Sequence, residues 1–361
     1  MTSSYRQIRL RKTVAIAGFV TLTAAAAFSA NAQAAQTSLL ETGSTLLYPL
    51  FNLWVPAYTN AHPDIKITTQ GTGSGTGIAQ AISGVAQVGA SDAYMSNGQI
   101  KQSPSILNIP LAISAQTINY NVPGLNNVHL KLDGPVLAGI YSGSIKNWND
   151  AQIKALNPKV NLPDHAIVPI HRTDGSGDTF IFSQYLSSST PSWSNSVGYG
   201  TTISWPAVQG GVGANGNPGM VQASQQTPYS IAYIGVSFHD QISKAGLGTA
   251  MLKNKAGNFV LPTKKTVNAA ASAMNGKTPA DERLSLVFAP GADSYPIINY
   301  EYAIVNAKQA DATTATALRN LLDWAVSPTG GNSAKYLDQV RFVPLPAKIA
   351  ALSKAQIAKI Q

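Results

Sequence analysis

Hydrophobic and polar residues alternate along this chain in two patterns, short β-branched runs and longer stretches of helical spacing. The short runs predict strands at 65–69, 85–88, 112–120, 166–170, 230–234 and 300–305. The longer stretches predict helices at 47–58, 78–82, 179–186 and 315–324. Glycine- and proline-rich stretches at 209–219 and 289–296 predict loops. Because strands separated by helices form parallel or mixed sheets with helices on their faces, the pattern predicts an α/β fold.

The length and composition are typical of a globular protein with a substantial core. The chain has 361 residues, of which 44% are hydrophobic and 8% aromatic, which argues against disorder and allows about two domains. No low-complexity linker separates two halves, so two lobes joined by chain crossovers and two sequential domains both remain open. The absence of cysteine excludes disulfides, thiolate metal sites, cysteine nucleophiles and a lipid-modified N-terminal cysteine.

Residues 1–34 have the pattern of a cleaved signal peptide, with an uncleaved N-terminal anchor as the alternative. A basic region is followed by an apolar stretch at 14–28 and by overlapping A-x-A motifs at 30–34. The basic residues are Arg6, Arg9, Arg11 and Lys12. With cleavage, we expect an unlipidated protein in a bacterial periplasm, or a secreted one. The remaining charges behind the formal net charge of +9 form no Lys/Arg cluster, so no nucleic-acid partner is expected.

Three glycine- and hydroxyl-rich turns, at 42–48, 70–77 and 172–179, each lead into a predicted helix. A helix N-terminus offers unpaired N–H groups that bind anions, and glycine lets the backbone approach a ligand closely. Serine and threonine are also ordinary helix caps, so a purely structural role for these turns remains open. Together they indicate a candidate anion site.

Enzyme motifs are missing from these turns and from the rest of the sequence. The glycines at 71–77 lack the spacing of a dinucleotide fingerprint, and no phosphate-binding P-loop or G-x-S-x-G nucleophile motif occurs. The five histidines show no metal-ligand spacing, and His171 is interpreted as structural. The sequence therefore predicts a binding protein with no catalytic residue, metal or cofactor.

Two charged features lie beside the candidate anion turns. Asp92 follows the predicted strand at 85–88, and Arg172 directly precedes the third turn, with Asp174 two residues further on. Asp92 alone could be a helix cap, and Arg172 with Asp174 could be a surface ion pair. Beside an anion site, however, arginine offers a planar fork of donors that a carboxylate can orient.

The chain resembles the periplasmic phosphate-binding proteins of phosphate ABC transporters, the PstS family, over essentially its whole predicted mature length. The motifs that carry the resemblance are at 70–75, 89–92, 145–150, 156–158 and 172–177. The stretches at 174–180 and 295–302 are most similar to the mycobacterial branch of that family. Relatives in that branch are lipoproteins, from which this cysteine-free chain departs.

The resemblance implies a two-lobed, hinged binding protein of the Venus-flytrap type (type II-like), with a mixed sheet in each lobe and the ligand in the cleft. Lobe I would comprise residues 35–112 and 297–361, and lobe II residues 113–296. The chain would cross between the lobes near 111–117 and 294–299.

The resemblance also implies a set of ligand contacts. The expected phosphate-binding residues are Thr45, Leu46, Ser74, Asp92, Arg172, Ser176 and Gly177. Ser44, Asp174, Asp178 and Thr179 are further candidates. Asp92 would accept a proton of the ligand, and Asp174 would bridge to the Arg172 guanidinium. Asp178 stands where some relatives have a hydroxyl residue, and its role is left open.

The implied function is high-affinity binding of inorganic phosphate by a monomer, and its delivery to the membrane permease of a phosphate ABC transporter. Two alternatives remain at this point. One is a secreted phosphatase or phosphotransferase that uses the same anion cradle. The other is a surface adhesin-like protein that retains phosphate binding.

Overall fold

The computed structural model describes residues 36–361, so the predicted signal peptide at 1–34 lies outside the described residues. Residues 36–361 form one compact unit. None of the helices in this range is both long enough and apolar enough to cross a bilayer.

Strands and helices alternate along most of the described chain. The strands are β1 (Thr37–Gly43), β2 (Ile65–Gly71), β3 (Val88–Ser91), β4 (Ile106–Asn121), β5 (Lys131–Leu132), β6 (Val168–Arg172), β7 (Val212–Ala214), β8 (Ser230–Gly235), β9 (Gly248–Thr249), β10 (Met251–Lys253), β11 (Phe259–Val260) and β12 (Ile298–Asn306). The helices are α1 (Tyr48–Ala61), α2 (Ser74–Ile82), α3 (Asn97–Gln102), α4 (Gly134–Ser142), α5 (Ala151–Leu156), α6 (Gly177–Ser189), α7 (Pro191–Ser196), α8 (Gly216–Gln226), α9 (His239–Lys244), α10 (Lys264–Ala273), α11 (Ala312–Ala325), α12 (Ala334–Leu337) and α13 (Ala347–Ile357).

The main sheet is mixed, with the strand order β2-β1-β3-β12-β4-β8-β6-β7 and with β9 also paired to β4. β1 is parallel to β2 and β3, whereas β12 is antiparallel to both β3 and β4. On the far side, β6 is parallel to β7 and β8. A separate small sheet has the order β11-β10-β5. The predicted α/β fold with mixed sheets is therefore confirmed.

β4 links the two parts of the main sheet. Its residues 106–115 pair with β12, and its residues 116–121 pair with β8. We call β2, β1, β3, β12 and residues 106–115 of β4 the first half-sheet. Residues 116–121 of β4 with β8, β6, β7 and β9 form the second half-sheet. The residue boundaries of the two lobes stay a prediction.

The central strands are buried on both faces because helices cover both. β12 reads INYEYAIVN, and all but its last residue are buried, as expected for a strand enclosed between layers. On α1, Trp54 packs edge-on against Phe51 and against Trp324 of α11, with ring centroids 5.3 and 6.1 Å apart. Such aromatic contacts fix the helices on the sheet that positions the site.

Two sequence-based predictions were wrong in detail. The strand predicted at 85–88 is β3, which begins only at Val88, because it pairs with residues 41–43 of β1 through residues 88–90. Val85 lies in the preceding turn and is 58% exposed. The loop predicted at 209–219 contains β7 and the start of α8. Gly216, the first residue of α8, has a φ of +63°, a left-handed conformation that glycine adopts at low cost. The loop predicted at 289–296 is confirmed.

Candidate anion-binding site

The three glycine- and hydroxyl-rich turns meet at one place in the fold. The N–H groups of Thr72 and Gly73, in the second turn, donate to the carbonyl of Gly43 in the first, at 2.8 and 2.7 Å. The N–H of Gly75 donates to the carbonyl of Gly175 in the third turn at 2.8 Å. Residues as far as 100 positions apart in sequence are thus in direct contact at the starts of α1, α2 and α6.

Asp92, just after β3, is 1% exposed and receives two serine hydroxyls. Ser44 donates to Oδ1, and Ser74 donates to Oδ2 at 3.3 Å. Burial raises the pKa of Asp92, while hydrogen bonds from Glu301 and Ser44 and the positive charge of Arg172 oppose that rise. Among residues 36–361, Asp92 forms no salt bridge, so the remaining lone pairs of this carboxylate are available to a further proton donor.

The Ser44 hydroxyl also organises the first turn. Its Oγ accepts the N–H groups of Leu46 at 3.1 Å and Leu47 at 3.0 Å. The Leu46 N–H, expected from the family resemblance to donate to a ligand, therefore donates to Ser44 in this structure. The Ser44 hydroxyl therefore connects the first turn to Asp92.

Arg172 ends β6 and is 3% exposed. Its Nε donates to Asp174 Oδ1 at 2.7 Å, and its Nη2 donates to Asp174 Oδ2, which makes a bidentate pair. Its Nη1 donates to Asp178 Oδ2 at 2.7 Å. The backbone N–H of Arg172 donates to the hydroxyl of Tyr233 at 2.9 Å. The guanidinium is thus held in one plane by carboxylates on two sides.

Asp178, in the first turn of α6, faces the site with each carboxylate oxygen engaged. Oδ2 accepts from Arg172 and from Asn217 Nδ2, each at 2.7 Å. Oδ1 accepts from Gln116 Nε2 at 3.1 Å. Burial and the negative charge of Asp92 raise the pKa of Asp178 to about 6, against the opposing charge of Arg172. Asp178 therefore acts as a structural anchor for the guanidinium.

Ser176 and Thr179 both have partners at the start of α6. Ser176 Oγ accepts the N–H of Thr179 at 3.1 Å and caps the helix. The Thr179 hydroxyl lies 2.8 Å from the hydroxyl of Tyr233. A capping oxygen that accepts one N–H keeps its own proton, so Ser176 retains a donor for a ligand.

Gly177, the first residue of α6, lies directly against Asp92. A side chain at this position would overlap Asp92 Oδ2 and would lie only 2.5 Å from Ser74 Oγ. Both of those residues follow strands of the first half-sheet. The backbone at the start of α6 therefore reaches Asp92 only because residue 177 is glycine.

Asn217 of α8 is a site residue that the sequence analysis missed. Its Nδ2 donates to Thr45 Oγ1 at 3.0 Å as well as to Asp178, and its Oδ1 accepts the N–H of Gly235 at 2.8 Å. The only signal was the run Asn215-Gly216-Asn217, a glycine-containing helix start that lacks hydroxyl residues. Gln116, Tyr233 and Glu301 were missed as well because each lies within an apolar strand.

A cavity of about 500 Å³ adjoins the site at the junction of the two half-sheets. It is lined by Ala93, which follows Asp92, and by Phe180, Tyr199 and Thr201. The N–H of Ser176 donates to the carbonyl of Thr201 at 2.8 Å, so this cavity borders the third turn. The predicted ligand residues themselves lie deeper, where the two halves are in contact.

The chemistry of the site combines many donors with one carboxylate, Asp92, that accepts hydroxyls and, among the described residues, forms no ion pair. Hydroxyls, backbone N–H groups and a guanidinium surround Asp92, and the other two carboxylates are held by Arg172. His171 is not part of this arrangement and packs beside Trp205, with ring centroids 5.1 Å apart. Within residues 36–361, no group of three or more His, Asp or Glu side chains is placed to hold a metal ion. A small oxyanion that carries a proton fits this donor set.

The chain is similar in sequence to a family of binding-protein domains and to several phosphate-binding proteins. The model of the PBP superfamily domain matches residues 29–329. The chain is 33% identical to phosphate-binding protein PstS of Methanocaldococcus jannaschii, over 86% of this chain and 83% of that protein. It is 34% identical to phosphate-binding protein PstS of Haemophilus influenzae, over 88% and 92% of the two chains.

A solved structure shares the fold at lower sequence identity. The periplasmic phosphate-binding protein PfluDING, solved with bound phosphate, superposes with a TM-score of 0.71 at 22% identity, covering 88% of this chain and 93% of that one. This likeness confirms the predicted periplasmic binding-protein fold. Together with the sequence relatives, it shows that the chain belongs to the PBP superfamily and, within it, to the PstS family of phosphate-binding proteins.

Proposed function

We propose that this protein binds inorganic phosphate in the periplasm and delivers it to the permease of an ABC-type phosphate importer. The observation that carries the proposal is Asp92, a buried carboxylate that forms no salt bridge within the described part of the chain, enclosed by Ser44, Ser74 and the Gly177 backbone. Phosphate retains at least one proton at neutral pH, and Asp92 supplies the acceptor that this proton needs.

In this proposal the ligand contacts come from both half-sheets. Thr45, Leu46 and Ser74 contribute from the first, and Arg172, Ser176 and Gly177 from the second. The Leu46 N–H and the Ser74 hydroxyl, which donate to Ser44 and Asp92 in this structure, would have to turn towards the ligand when it binds. Direct hydrogen bonds to a charged group are worth about 1.5–3 kcal/mol each, whereas a helix dipole adds only about 0.3–1 kcal/mol. The hydroxyl, N–H and guanidinium donors therefore account for most of the affinity.

The four further candidates act mainly by positioning. Ser44 holds Asp92, and Asp174 and Asp178 hold Arg172. Thr179 contacts the Tyr233 hydroxyl, which in turn accepts the N–H of Arg172. Since Asp174 and Asp178 together outweigh the single charge of Arg172, neutral donors have to stabilise much of the ligand charge.

Selectivity against sulfate follows from the ligand proton. Sulfate has no proton at neutral pH, so its lone pairs would face the Asp92 carboxylate in a buried site. A buried acceptor that has no hydrogen-bond donor costs about 1–3 kcal/mol, and more when it is charged. A site built around a required hydrogen bond discriminates by factors of about 10⁴–10⁵. Arsenate carries the same protons as phosphate, so this mechanism gives little protection against arsenate.

Delivery requires that the two halves separate. The predicted ligand residues are buried where the half-sheets touch, so phosphate enters and leaves only when the chain opens near residues 115–117 of β4. A permease that binds the closed, liganded form more tightly would select loaded protein. Family membership favours this role over the secreted phosphatase or phosphotransferase. Action as an exported, unlipidated monomer is part of the proposal.

The test is a competition titration of the purified mature chain by calorimetry, with phosphate, arsenate and sulfate between pH 5 and 9. We expect tight phosphate binding, effective competition by arsenate and weak competition by sulfate. Equal competition by sulfate, or no phosphate binding, would contradict the proposal. A chromogenic phosphate ester serves as the enzymatic control, and steady hydrolysis would support the phosphatase alternative. Phosphate-dependent stimulation of ATP hydrolysis by the reconstituted permease tests delivery.

A further inference from the structure

Glu301 is a buried acidic residue next to the site that the proposed contacts do not use. It lies in β12 and is fully buried. β12 is antiparallel to β3, and the last pair of this ladder is Tyr302 with Ser91, so Glu301 and Asp92 are the next residues along the two strands. The two carboxyl groups are close enough that, besides burial, the charge of Asp92 raises the pKa of Glu301.

The two carboxyl groups differ in the hydrogen-bond donors that they receive. Glu301 Oε1 accepts from the Ser114 hydroxyl, but its buried Oε2 has no N–H or hydroxyl donor. Asp92 receives the Ser44 and Ser74 hydroxyls. An ionised oxygen buried without a donor is costly, and two adjacent carboxylates in a buried site repel each other. A proton on Glu301 Oε2, donated to Asp92, removes both costs.

We propose that Glu301 is protonated and donates its O–H to Asp92, and that this makes it a positioning residue that keeps Asp92 ionised as the acceptor of the phosphate proton. The inference deepens the proposed function and rests on it. It also predicts an alkaline limit to phosphate affinity, because loss of the Glu301 proton would place a second negative charge beside Asp92.

The charged groups around Glu301 support this assignment. Asp92 faces it from the end of β3, and Asp178 faces the site from α6, whereas α2 and the adjacent part of β4 carry no charge. Arg172, from β6, is engaged by Asp174 and Asp178. Burial and the negative charge of Asp92 raise the pKa of Glu301 well above its usual range, and the Ser114 hydrogen bond offsets only part of this rise.

The direction of the pH dependence follows from linkage. A bound phosphate dianion favours neutral Glu301, so binding raises the proton affinity of this residue. Phosphate affinity therefore falls as the pH rises through the ionisation of Glu301 in the free protein, by up to about tenfold per pH unit for one proton. Between pH 8 and 10 phosphate remains the singly protonated dianion, so its own ionisation does not account for such a fall.

The central experiment compares the wild-type protein with Glu301→Gln. The glutamine amide keeps the shape of the neutral acid, donates through Nε2 and accepts through Oε1, but it does not ionise. Calorimetric titration with inorganic phosphate is carried out from pH 7 to 10. We expect the Kd of Glu301→Gln at pH 7 to lie within about threefold of wild type. Between pH 8 and 10 the wild-type Kd rises, whereas that of Glu301→Gln stays flat.

Glu282 offers a matched control, because it is a second buried glutamate that has one carboxylate oxygen without a partner. It is also buried, its Oε1 accepts from Ser353 Oγ at 3.0 Å, and its Oε2 has no partner. Burial raises the pKa of Glu282 to about 8, but its charged neighbours are Lys359 and Asp281. Glu282→Gln should therefore show the same alkaline rise in Kd as the wild type.

Proton uptake on phosphate binding gives a second measurement, independent of the Kd values. Titrations at pH 9 in buffers of different ionisation enthalpy report the number of protons taken up with phosphate. We expect net uptake by the wild type and none by Glu301→Gln. No uptake by the wild type anywhere between pH 8 and 10, or a Glu301→Gln profile that follows the wild type, would overturn the inference alone. A wild-type protein that fails to bind phosphate at pH 7 would overturn the proposed function, and the inference with it.

Discussion

The side-chain amide of Asn217 donates to the hydroxyl of Thr45 at 3.0 Å, joining the start of α8 to the turn after β1. The same nitrogen donates to Asp178 at 2.7 Å. One fully buried amide therefore holds a proposed ligand donor of the first half-sheet and the carboxylate that anchors Arg172 in the second. Because Thr45 Oγ1 also accepts the backbone N–H of Asn217 at 3.1 Å, its own proton is left to donate to a ligand.

Substitution of Asn217 by alanine should raise the phosphate Kd about tenfold. The change removes one of the buried donors to Asp178 and one of those to Thr45, and it leaves the Gly235 N–H without its acceptor, a loss of about 1–3 kcal/mol. Calorimetric titration at pH 7 measures the effect. Asn215→Ala is the matched control, since Asn215 is exposed and makes no side-chain cap to α8. Equal affinities for the two variants would show that the Asn217 amide does not support the site.

Asp92→Asn should lower the preference for phosphate over sulfate by at least tenfold. An asparagine keeps the shape of the side chain but presents an amide that donates, so the required match to a protonated ligand is lost. Competition titration with both anions gives the ratio of the two Kd values. Asp64→Asn, at an exposed position, should leave that ratio unchanged. An unaltered ratio in Asp92→Asn would remove Asp92 from its proposed role.

Gly177→Ala should weaken phosphate binding by at least tenfold without unfolding the protein. The added methyl group would overlap the Asp92 carboxylate across the junction, so the two halves could close only with a displaced α6. Small-angle scattering with and without phosphate reports closure, and calorimetry reports affinity. Gly98→Ala is the control, because a Cβ at Gly98 meets only Ser96 Oγ at 3.8 Å. Wild-type affinity in Gly177→Ala would show that this close approach is unnecessary.

Glu41→Gln should flatten the pH dependence of stability. Burial raises the pKa of Glu41 to about 8, although Thr69 and the Gln70 backbone hydrogen-bond to it. The folded state therefore retains a proton that the unfolded chain loses above about pH 4.5. Wild-type unfolding free energy consequently falls with rising pH in this interval, by about 1.4 kcal/mol per unit from this group.

Urea unfolding at pH 5, 6.5 and 8 measures this effect. The glutamine variant should gain stability relative to the wild type as the pH rises towards 8, and the difference should be smallest at pH 5. Asp64→Asn again serves as the exposed control. Parallel pH profiles for Glu41→Gln and the wild type would contradict the assignment of a buried, protonated Glu41.

The sequence predicted the local features of the site better than its long-range ones. The turns that lead into α1, α2 and α6 were identified because glycine and hydroxyl residues before a helix have a direct local cause. Asn217 was missed because its partner Thr45 is 172 positions away and its helix start has the composition of a loop. Glu301 was missed because a buried acid within an apolar strand has no periodic signature.

The same distinction applies to the fold. The α/β class followed from the alternation of strands and helices, but the start of β3 was misplaced. That start is set by pairing with residues 41–43 of β1, a contact that the local sequence does not encode. The ligand contacts and lobe boundaries inferred from the family resemblance stay predictions, because they depend on how the two halves close around a ligand.

The position of β12 in the sheet has a consequence for the assembly of this protein. β12 comes from residues 298–306 yet lies between β3 and β4, and its Asn299 also donates to the Asp92 carbonyl. During synthesis, the edges of β3 and of residues 106–115 of β4 lack their partner until the last fifth of the chain emerges. Unpaired edges promote aggregation, so a nascent chain of this topology benefits from a holding chaperone. Truncation before residue 298 should yield inclusion bodies, not a smaller soluble domain.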